Sequence, residues 1–88
     1  MEETILVVDD SKTVLSATAR TLQSQGFRVL TATDGEHALT IARRDRPTLI
    51  VLDIIMPKIN GFEVCRQLKS DPDTKGIKIL LFSCKNQD

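Results

Sequence analysis

Polar side chains stand at the points where short apolar runs of this sequence end. Asp9 and Asp10 follow the first such run, Asp53 follows the third, and Ser83 follows the fourth. Carboxylates that are brought close together repel one another, and a divalent cation relieves this repulsion. Oxygen ligands of this kind suit Mg2+, which typically takes one or two carboxylates together with a phosphate. A carboxylate nucleophile, a Lewis acid and a hydroxyl donor are the components needed for carboxylate attack on phosphorus.

Each of these residues also has a plainer interpretation when it is taken alone. Asp9 and Asp10 could belong to a helix N-terminus, where the helix dipole favours acidic side chains. Asp53 could be a turn residue that ends a strand, and Ser83 could be an ordinary loop serine. The functional hypothesis therefore depends on their joint position at neighbouring strand ends.

The rest of the sequence alternates short apolar runs with segments of helical periodicity. Runs rich in β-branched residues, such as residues 5–8, are typical of strands that are buried on both faces. Gly26, Gly35 and Pro47 mark turns between the runs and the helical segments. We predict strands over residues 4–9, 27–32, 48–53 and 77–82, and helices over residues 12–25, 35–45 and 61–70.

This alternation predicts an α/β fold with a doubly wound parallel sheet and right-handed crossovers. We expect one flavodoxin-like domain over residues 1–88. Its sheet has the strand order 2-1-3-4 and lies between two layers of helices, which gives a three-layer α/β/α architecture. Functional side chains in such sheets lie in the crevice beyond the carboxyl ends of the strands. The first and third strands are neighbours in this order, so Asp9, Asp10 and Asp53 should converge on one small pocket.

The composition is that of an ordinary globular domain. Of the 88 residues, 41% are hydrophobic and 27% are charged. The 12 basic residues balance the 12 acidic ones, which argues against a nucleic-acid-binding surface. No apolar run is long enough to span a membrane, and the first residues lack the pattern of a signal peptide, so we expect a cytoplasmic protein. Cys65 and Cys84 are too few for a disulfide framework and are interpreted as small hydrophobic residues.

Four segments of the sequence form a set of motifs. They are ILVVDD at residues 5–10, IVLDIIMP at residues 50–57, NGFE at residues 60–63 and ILLFS at residues 79–83. Together they resemble the receiver domain of two-component response regulators, and most of all the small regulators of chemotaxis and twitching motility. The resemblance covers the whole chain. It implies a signalling domain and not an enzyme, with no reactions of its own beyond self-phosphorylation and self-dephosphorylation.

The resemblance also implies a role for five residues. Asp53 corresponds to the aspartate that is phosphorylated and that also contacts the metal. Asp10 corresponds to a direct Mg2+ ligand, Asp9 to its partner acting through water, and the backbone carbonyl of Ile55 to a further ligand. Ser83 occupies the place of the Ser/Thr switch, which moves towards the phosphoryl group on activation. The implied phosphoryl donor is a sensor histidine kinase or a phosphotransfer protein.

Two alternative functions remain open beside the receiver interpretation. A complete receiver continues through a fourth helix, a fifth strand and a fifth helix, whereas this sequence ends at Asp88, before the lysine that the family carries on its fifth strand. The first alternative is therefore a receiver fragment that only binds or dimerises. The second is a Mg2+-dependent phosphatase with an aspartyl intermediate, which is disfavoured because Ile55 stands where such enzymes carry a second acid.

The fourth strand carries a further expectation. Residues 77–82 are apolar on both faces of the predicted strand, so a sheet that ends here exposes an apolar edge. We predict self-association through this strand, as a homodimer or as a domain-swapped oligomer. The resemblance also suggests that Ile55 and Lys85 influence the rate at which phosphate is lost.

Overall fold

Seven strands and helices alternate along the chain in the computed structural model, which describes residues 3–83. The strands are β1 (Thr4–Val8), β2 (Arg28–Ala32), β3 (Leu49–Asp53) and β4 (Lys78–Phe82). The helices are α1 (Lys12–Ser24), α2 (Gly35–Asp45) and α3 (Gly61–Ser70). Cys84 and Lys85 lie outside the described residues, so the interpretations given to these two are not tested.

The four strands form one parallel sheet in the order β2-β1-β3-β4. The predicted strand order and the alternation of strands with helices are therefore confirmed. Parallel neighbours need a crossover that returns the chain to the same end of the sheet, and the helices provide it. All four strands consequently end at one edge of the sheet, the carboxyl edge.

Helices cover both faces of this sheet. α1 packs against β1 and β2 on one face, whereas α2 and α3 lie on the other. The core beneath α2 and α3 includes Leu6, Leu52 and Val64, each of which is fully buried. The smaller core beneath α1 includes Val7 and Leu15. Strand β1 is thus buried on both sides, whereas β3 is buried beneath α2 and α3 and half-buried at Leu49 and Val51 on the other face, and both strands have nearly continuous apolar sequences.

Each helix begins with a polar side chain that binds a backbone N–H group of the first turn. Such caps satisfy donors that have no partner within the helix. Helix α2 ends at Asp45 and is capped by Arg46, whose φ of 45° lies in the left-handed region. The three cap contacts are Ser11 Oγ to Val14 N at 3.3 Å, Asp34 Oδ1 to His37 N at 2.8 Å, and Asn60 Oδ1 to Glu63 N at 3.0 Å.

The predicted bounds of α2 and α3 agree with the structure, whereas each of the other five predicted elements extends one residue too far at one end. The residues concerned are Asp9, Gln25, Phe27, Thr48 and Ile77. Hydrogen bonds to preceding turns explain two of them, because Phe27 N–H donates to Leu22 O and Ile77 N–H donates to Thr74 O. Gln25 N–H likewise donates to Leu22 O, as the C-terminal cap of α1.

The other two bounds, at Asp9 and Thr48, belong to residues that flank strands. Asp9 N–H still reaches Ala32 O at 3.2 Å, but the chain then turns so that the Asp9 side chain binds Ser11. Thr48 N–H donates to Thr4 O at 2.8 Å, one position before β3 begins. Both residues continue the pairing without being part of a strand.

Strand β4 lies at the outer edge of the sheet in the part of the chain that the structure describes. Leu80, in the middle of β4, is 56% exposed. The predicted apolar edge is therefore present among residues 3–83, while self-association remains a prediction. Within the same residues, no helix is long and apolar enough to cross a membrane.

Candidate functional site

Three carboxylates meet at the carboxyl edge of β1 and β3. The register pairs Val8 with Leu52, so the residues that follow, Asp9 and Asp53, end neighbouring strands at the same level. One oxygen from each of Asp9, Asp10 and Asp53 lies within 4.8 Å of the others. The structure thus brings together the three acidic residues that the sequence singled out, while their individual roles remain predictions.

The three acidic residues differ in their exposure to solvent. Asp9 and Asp53 are completely buried (0% exposed), whereas Asp10 is exposed. Two unit charges about 4 Å apart repel by about 4 kcal/mol at an effective dielectric constant of about 20. Two buried carboxylates and an exposed one therefore lie close enough to repel one another, with Asp10 on the side that solvent reaches.

The donor set fits a hard divalent cation. Every side-chain donor is a carboxylate oxygen, and the cluster combines buried ligands with an exposed one that leaves room for water. Mg2+ prefers oxygen ligands and retains several waters when proteins bind it. Asp9, Asp10 and Asp53 are the residues that could hold such an ion, and the carbonyl of Ile55 is the further ligand that the sequence predicts.

Asp9 is held by the start of α1. Its Oδ1 accepts a hydrogen bond of 2.9 Å from Ser11 N–H, and Ser11 Oγ caps the helix by accepting from Val14 N–H. The N-terminal cap of α1 is thus Ser11, and Asp9 and Asp10 directly precede it in the chain. The sequence analysis did not predict the contact between Ser11 and Asp9, because that contact depends on the turn between β1 and α1.

Asp53 is held by the loop that follows it. Its Oδ1 accepts a hydrogen bond of 3.2 Å from Ile55 N–H. The loop is in turn fixed at both ends, because Ile54 N–H donates to Phe82 O at 2.8 Å and Gly61 N–H donates to Ile54 O at 2.8 Å. The sequence assigned Ile55 a role through its carbonyl, and its N–H contact with Asp53 was missed. A residue two positions after an aspartate commonly makes this local contact, which is the signal that could have found it.

Gly61 lets α3 begin directly against the end of β3. A Cβ atom at this position would lie 2.5 Å from Asp53 O and 2.8 Å from Ile54 Cα, and both of these are backbone atoms that cannot move aside. Any side chain here would therefore displace either the helix or the chain around Asp53. Gly61 is required for this close approach and has no φ in the left-handed region, where Gly26 is the only glycine among residues 3–83.

Ile55 and Ser83 complete the predicted set. Ile55 places its backbone N–H in the site, while its side chain is 47% exposed. Ser83 is exposed and directly follows Phe82, the residue that pairs with Asp53 in the sheet. All five predicted site residues therefore lie at the ends of β1, β3 and β4 at one edge.

Comparison with known proteins connects this geometry to a family. The sequence profile of the response regulator receiver domain matches residues 5–88. The alkaline phosphatase synthesis transcriptional regulatory protein PhoP of Bacillus subtilis is 40% identical over 88 residues, which are 100% of this chain and 36% of PhoP. Protein PilH of Pseudomonas aeruginosa is 37% identical over 84 residues, covering 96% of this chain and 69% of PilH.

A solved structure gives the same result for the fold. The chemotaxis response regulator CheY4 of Vibrio cholerae superposes with a TM-score of 0.91 at 32% identity, covering 99% of this chain and 72% of that one. The relatives include a transcriptional regulator and a chemotaxis protein, so the narrower resemblance to chemotaxis and twitching-motility regulators remains a prediction. The chain spans only 36% of the length of PhoP, so the activity of the whole PhoP protein is not attributed to this chain. The profile match and the shared fold together establish that this chain belongs to the response regulator receiver domain family.

Proposed function

We propose that this receiver domain accepts a phosphoryl group on Asp53. The observation that carries the proposal is the position of the Asp53 carboxylate, buried at the end of β3 with oxygens of Asp9 and Asp10 within 4.8 Å. This arrangement places a carboxylate nucleophile beside a cation-binding cluster at the edge where parallel α/β sheets carry their functional residues. A binding module without phosphotransfer would not need that cluster.

In the proposed reaction, a carboxylate oxygen of Asp53 attacks the phosphorus of a phosphohistidine. The O–P bond forms as the P–N bond breaks, and the histidine nitrogen leaves and takes up a proton. The hydrogen bond from Ile55 N–H to Asp53 Oδ1 fixes the orientation of the carboxylate before attack. Mg2+ held by Asp9, Asp10, Asp53 and the Ile55 carbonyl would supply positive charge that allows the anionic groups to approach.

Ser83 is proposed to respond to the product. The phosphoryl group adds a charge of about −1.5 to −2 and strong hydrogen-bond acceptors at the carboxyl edge. Ser83 stands one residue beyond Phe82, whose carbonyl already binds Ile54 in the loop after Asp53. Its hydroxyl could donate to a phosphoryl oxygen, and β4 would then shift relative to that loop. This coupling between β4 and the loop is the proposed conformational switch.

The proposed partner is a sensor histidine kinase or a phosphotransfer protein that carries the phosphohistidine. This follows from the family and from the need of Asp53 for an activated phosphoryl donor. A cytoplasmic location likewise remains a prediction from the sequence.

The proposal can be tested with a small phosphoryl donor. The chain is incubated with acetyl phosphate and Mg2+, and its intact mass is measured beside two variants, Asp53→Asn and Asp73→Asn. Asp73 is an exposed residue between α3 and β4, at the opposite edge of the sheet, and serves as a matched control for the substitution. We expect one phosphoryl adduct on the parent chain and on Asp73→Asn, and none on Asp53→Asn. An adduct on Asp53→Asn would show that another residue is the acceptor.

A further inference from the structure

The loop that follows Asp53 is anchored to the core by two of its side chains. Residues 54–60 connect β3 with α3, and among them Met56 is buried (8% exposed) and Ile59 is half-buried. Both side chains pack with the core beneath α2 and α3, whereas Lys58, which lies between them in the chain, is exposed. The position of the loop therefore depends on how these two anchors fit into the core.

The backbone of Lys58 makes the turn that leads to the second anchor. Its φ of 70° lies in the left-handed region, which residues other than glycine adopt rarely and at a cost in free energy. Such a conformation persists only where the surrounding structure holds it. Because the Lys58 side chain is exposed, the packing nearest to this backbone is that of the next residue, Ile59.

Ile59 lies against the first residue of α2. A Cβ atom on Gly35 would be 2.6 Å from Ile59 Cγ1, 2.8 Å from Ile59 Cδ1 and 2.7 Å from Val64 Cγ2. These distances are too short for a side chain at position 35, so Gly35 leaves free the space that Ile59 occupies. Val64 is fully buried and Ile59 is only half-buried, so Ile59 is the side chain that a larger residue at position 35 would displace.

The backbone of the loop connects this contact with the Asp53 carboxylate. Asp53 Oδ1 accepts a hydrogen bond of 3.2 Å from Ile55 N–H, and Ile55 belongs to the same loop as Ile59. Gly61 N–H donates to Ile54 O at 2.8 Å, which joins the two ends of the loop. Displacement of Ile59 would therefore move the backbone that presents the Ile55 N–H group to Asp53.

We propose that Gly35, on α2 and outside the acidic cluster, is a positioning residue for Asp53. Its missing side chain lets Ile59 pack against the start of α2, and the anchored loop then directs Ile55 N–H to the Asp53 carboxylate. The proposal rests on the function proposed for Asp53, because the orientation of the carboxylate matters for its attack on phosphorus. It gives Gly35 a role in the reaction, whereas the sequence indicated only a turn at this position.

The first test observes the Ile55 amide by NMR in the absence of any phosphoryl donor. The parent chain is compared with Gly35→Ala, with Ile59→Ala and with the double variant, and Ile41→Val serves as a control at a buried position further along α2. We expect the Ile55 amide resonance to move in both single variants and to stay in place in Ile41→Val. Gly35→Ala should cause little further change in Ile59→Ala chains, because the truncated side chain leaves space for the added Cβ.

Two results of this test would overturn the proposal. One is an Ile55 resonance that stays in place in Gly35→Ala, and the other is a double variant in which the two changes simply add. Should Gly35→Ala fail to fold, the comparison of Ile59→Ala with Ile41→Val decides the question. An Ile55 resonance that stays in place in Ile59→Ala would show that this anchor does not position the loop.

The second test measures the rate of phosphorylation by acetyl phosphate and Mg2+ in variants shown to be folded by circular dichroism. We expect Gly35→Ala and Ile59→Ala to react about tenfold more slowly, within the loss of about 100-fold that a misplacement far from the chemistry can cause. Ile41→Val should keep the parent rate. Parent rates in both variants would overturn the role of Gly35 in the reaction. A parent chain that takes up no phosphoryl group would instead overturn the function proposed for Asp53, while the Ile55 resonance would still decide whether Gly35 positions the loop.

Discussion

The chain around Asp53 is shaped by two residues whose side chains are not chemically active. Gly61 allows α3 to approach the backbone of Asp53, and Ile55 contributes a backbone N–H group to its carboxylate. The orientation of the proposed acceptor therefore depends on the backbone of residues 54–61 as much as on the acidic cluster. Replacing Gly61 tests this dependence through the stability of the fold, and replacing Ile55 tests it through the rate of phosphate loss.

Replacing Gly61 with alanine should destabilise the fold. The added Cβ would lie 2.5 Å from Asp53 O, and overpacking of this kind typically costs about 1 to 3 kcal/mol. Gly76→Ala is the matched control, because nothing lies within 4 Å of a Cβ at that position, and its effect should stay within about 0.5 kcal/mol. Urea unfolding of the two variants measures the difference. Equal stabilities would mean that α3 can shift away from β3 at little cost.

Ile55→Asn should shorten the lifetime of the phosphorylated protein. The Ile55 side chain is 47% exposed beside Asp53, and an apolar group there offers no hydrogen bond to an attacking water. An asparagine amide could hold such a water, so we expect phosphate loss to become several-fold faster. The decay is followed by intact mass after removal of the phosphoryl donor, with Phe62→Asn as an exposed control on α3. An unchanged rate in Ile55→Asn would show that the side chain at this position does not control phosphate loss.

At the scale of the elements, α3 connects the site loop with the outer surface. Its first residue, Gly61, contacts the end of β3, and its first turn carries an exposed ion pair between Glu63 and Arg66. Hydrogen bonds from Arg66 and then from Gln67 lower the pKa of Glu63 from 4.5 to about 2. A carboxylate near the N-terminus of a helix is also favoured by the helix dipole.

The ion pair gives α3 a defined pH response. Because the pKa of Glu63 is lower in the folded chain, its contribution to stability is complete above about pH 4.5 and is lost as the pH falls towards 2. Arg66→Gln should raise the pKa of Glu63 towards 4.5, as observed by NMR titration of the carboxyl group. The control Arg44→Gln removes the exposed partner of Asp45 on α2 and should leave the pKa of Glu63 unchanged. A Glu63 pKa that stays near 2 in Arg66→Gln would assign the shift to another group.

At the scale of the whole molecule, the sheet order is what makes a site out of separate sequence segments. The alternation of apolar runs and helical segments predicted this order, and thereby the convergence of Asp9, Asp10 and Asp53. The contacts of Gly61 with Asp53 and of Asp9 with Ser11 were not predicted, because they depend on how closely a helix approaches a strand end. One-residue errors at strand ends, such as Phe27, have a similar origin, since turn hydrogen bonds decide where pairing begins.

The acidic cluster should make the stability of the whole fold depend on Mg2+. A ligand that binds only the folded chain stabilises it by about 2.7 kcal/mol at a concentration of 100 times Kd. We expect the Tm of the parent chain and of Asp73→Asn to rise with added Mg2+. In Asp10→Asn the Tm without Mg2+ should be higher, because a repulsive charge is removed, while the rise with Mg2+ should be smaller. An equal Mg2+ response in Asp10→Asn would place the cation elsewhere.

The central claim, that Asp53 is the phosphoryl acceptor, is tested most directly by locating the phosphoryl group on the chain. The chain is phosphorylated with acetyl phosphate and Mg2+, the acyl phosphate is reduced by borohydride, and the modified residue is identified by tandem mass spectrometry. The account predicts that the modification lies on Asp53 and on neither Asp9 nor Asp10. Modification of Asp9 or Asp10, with Asp53 unmodified, would contradict it.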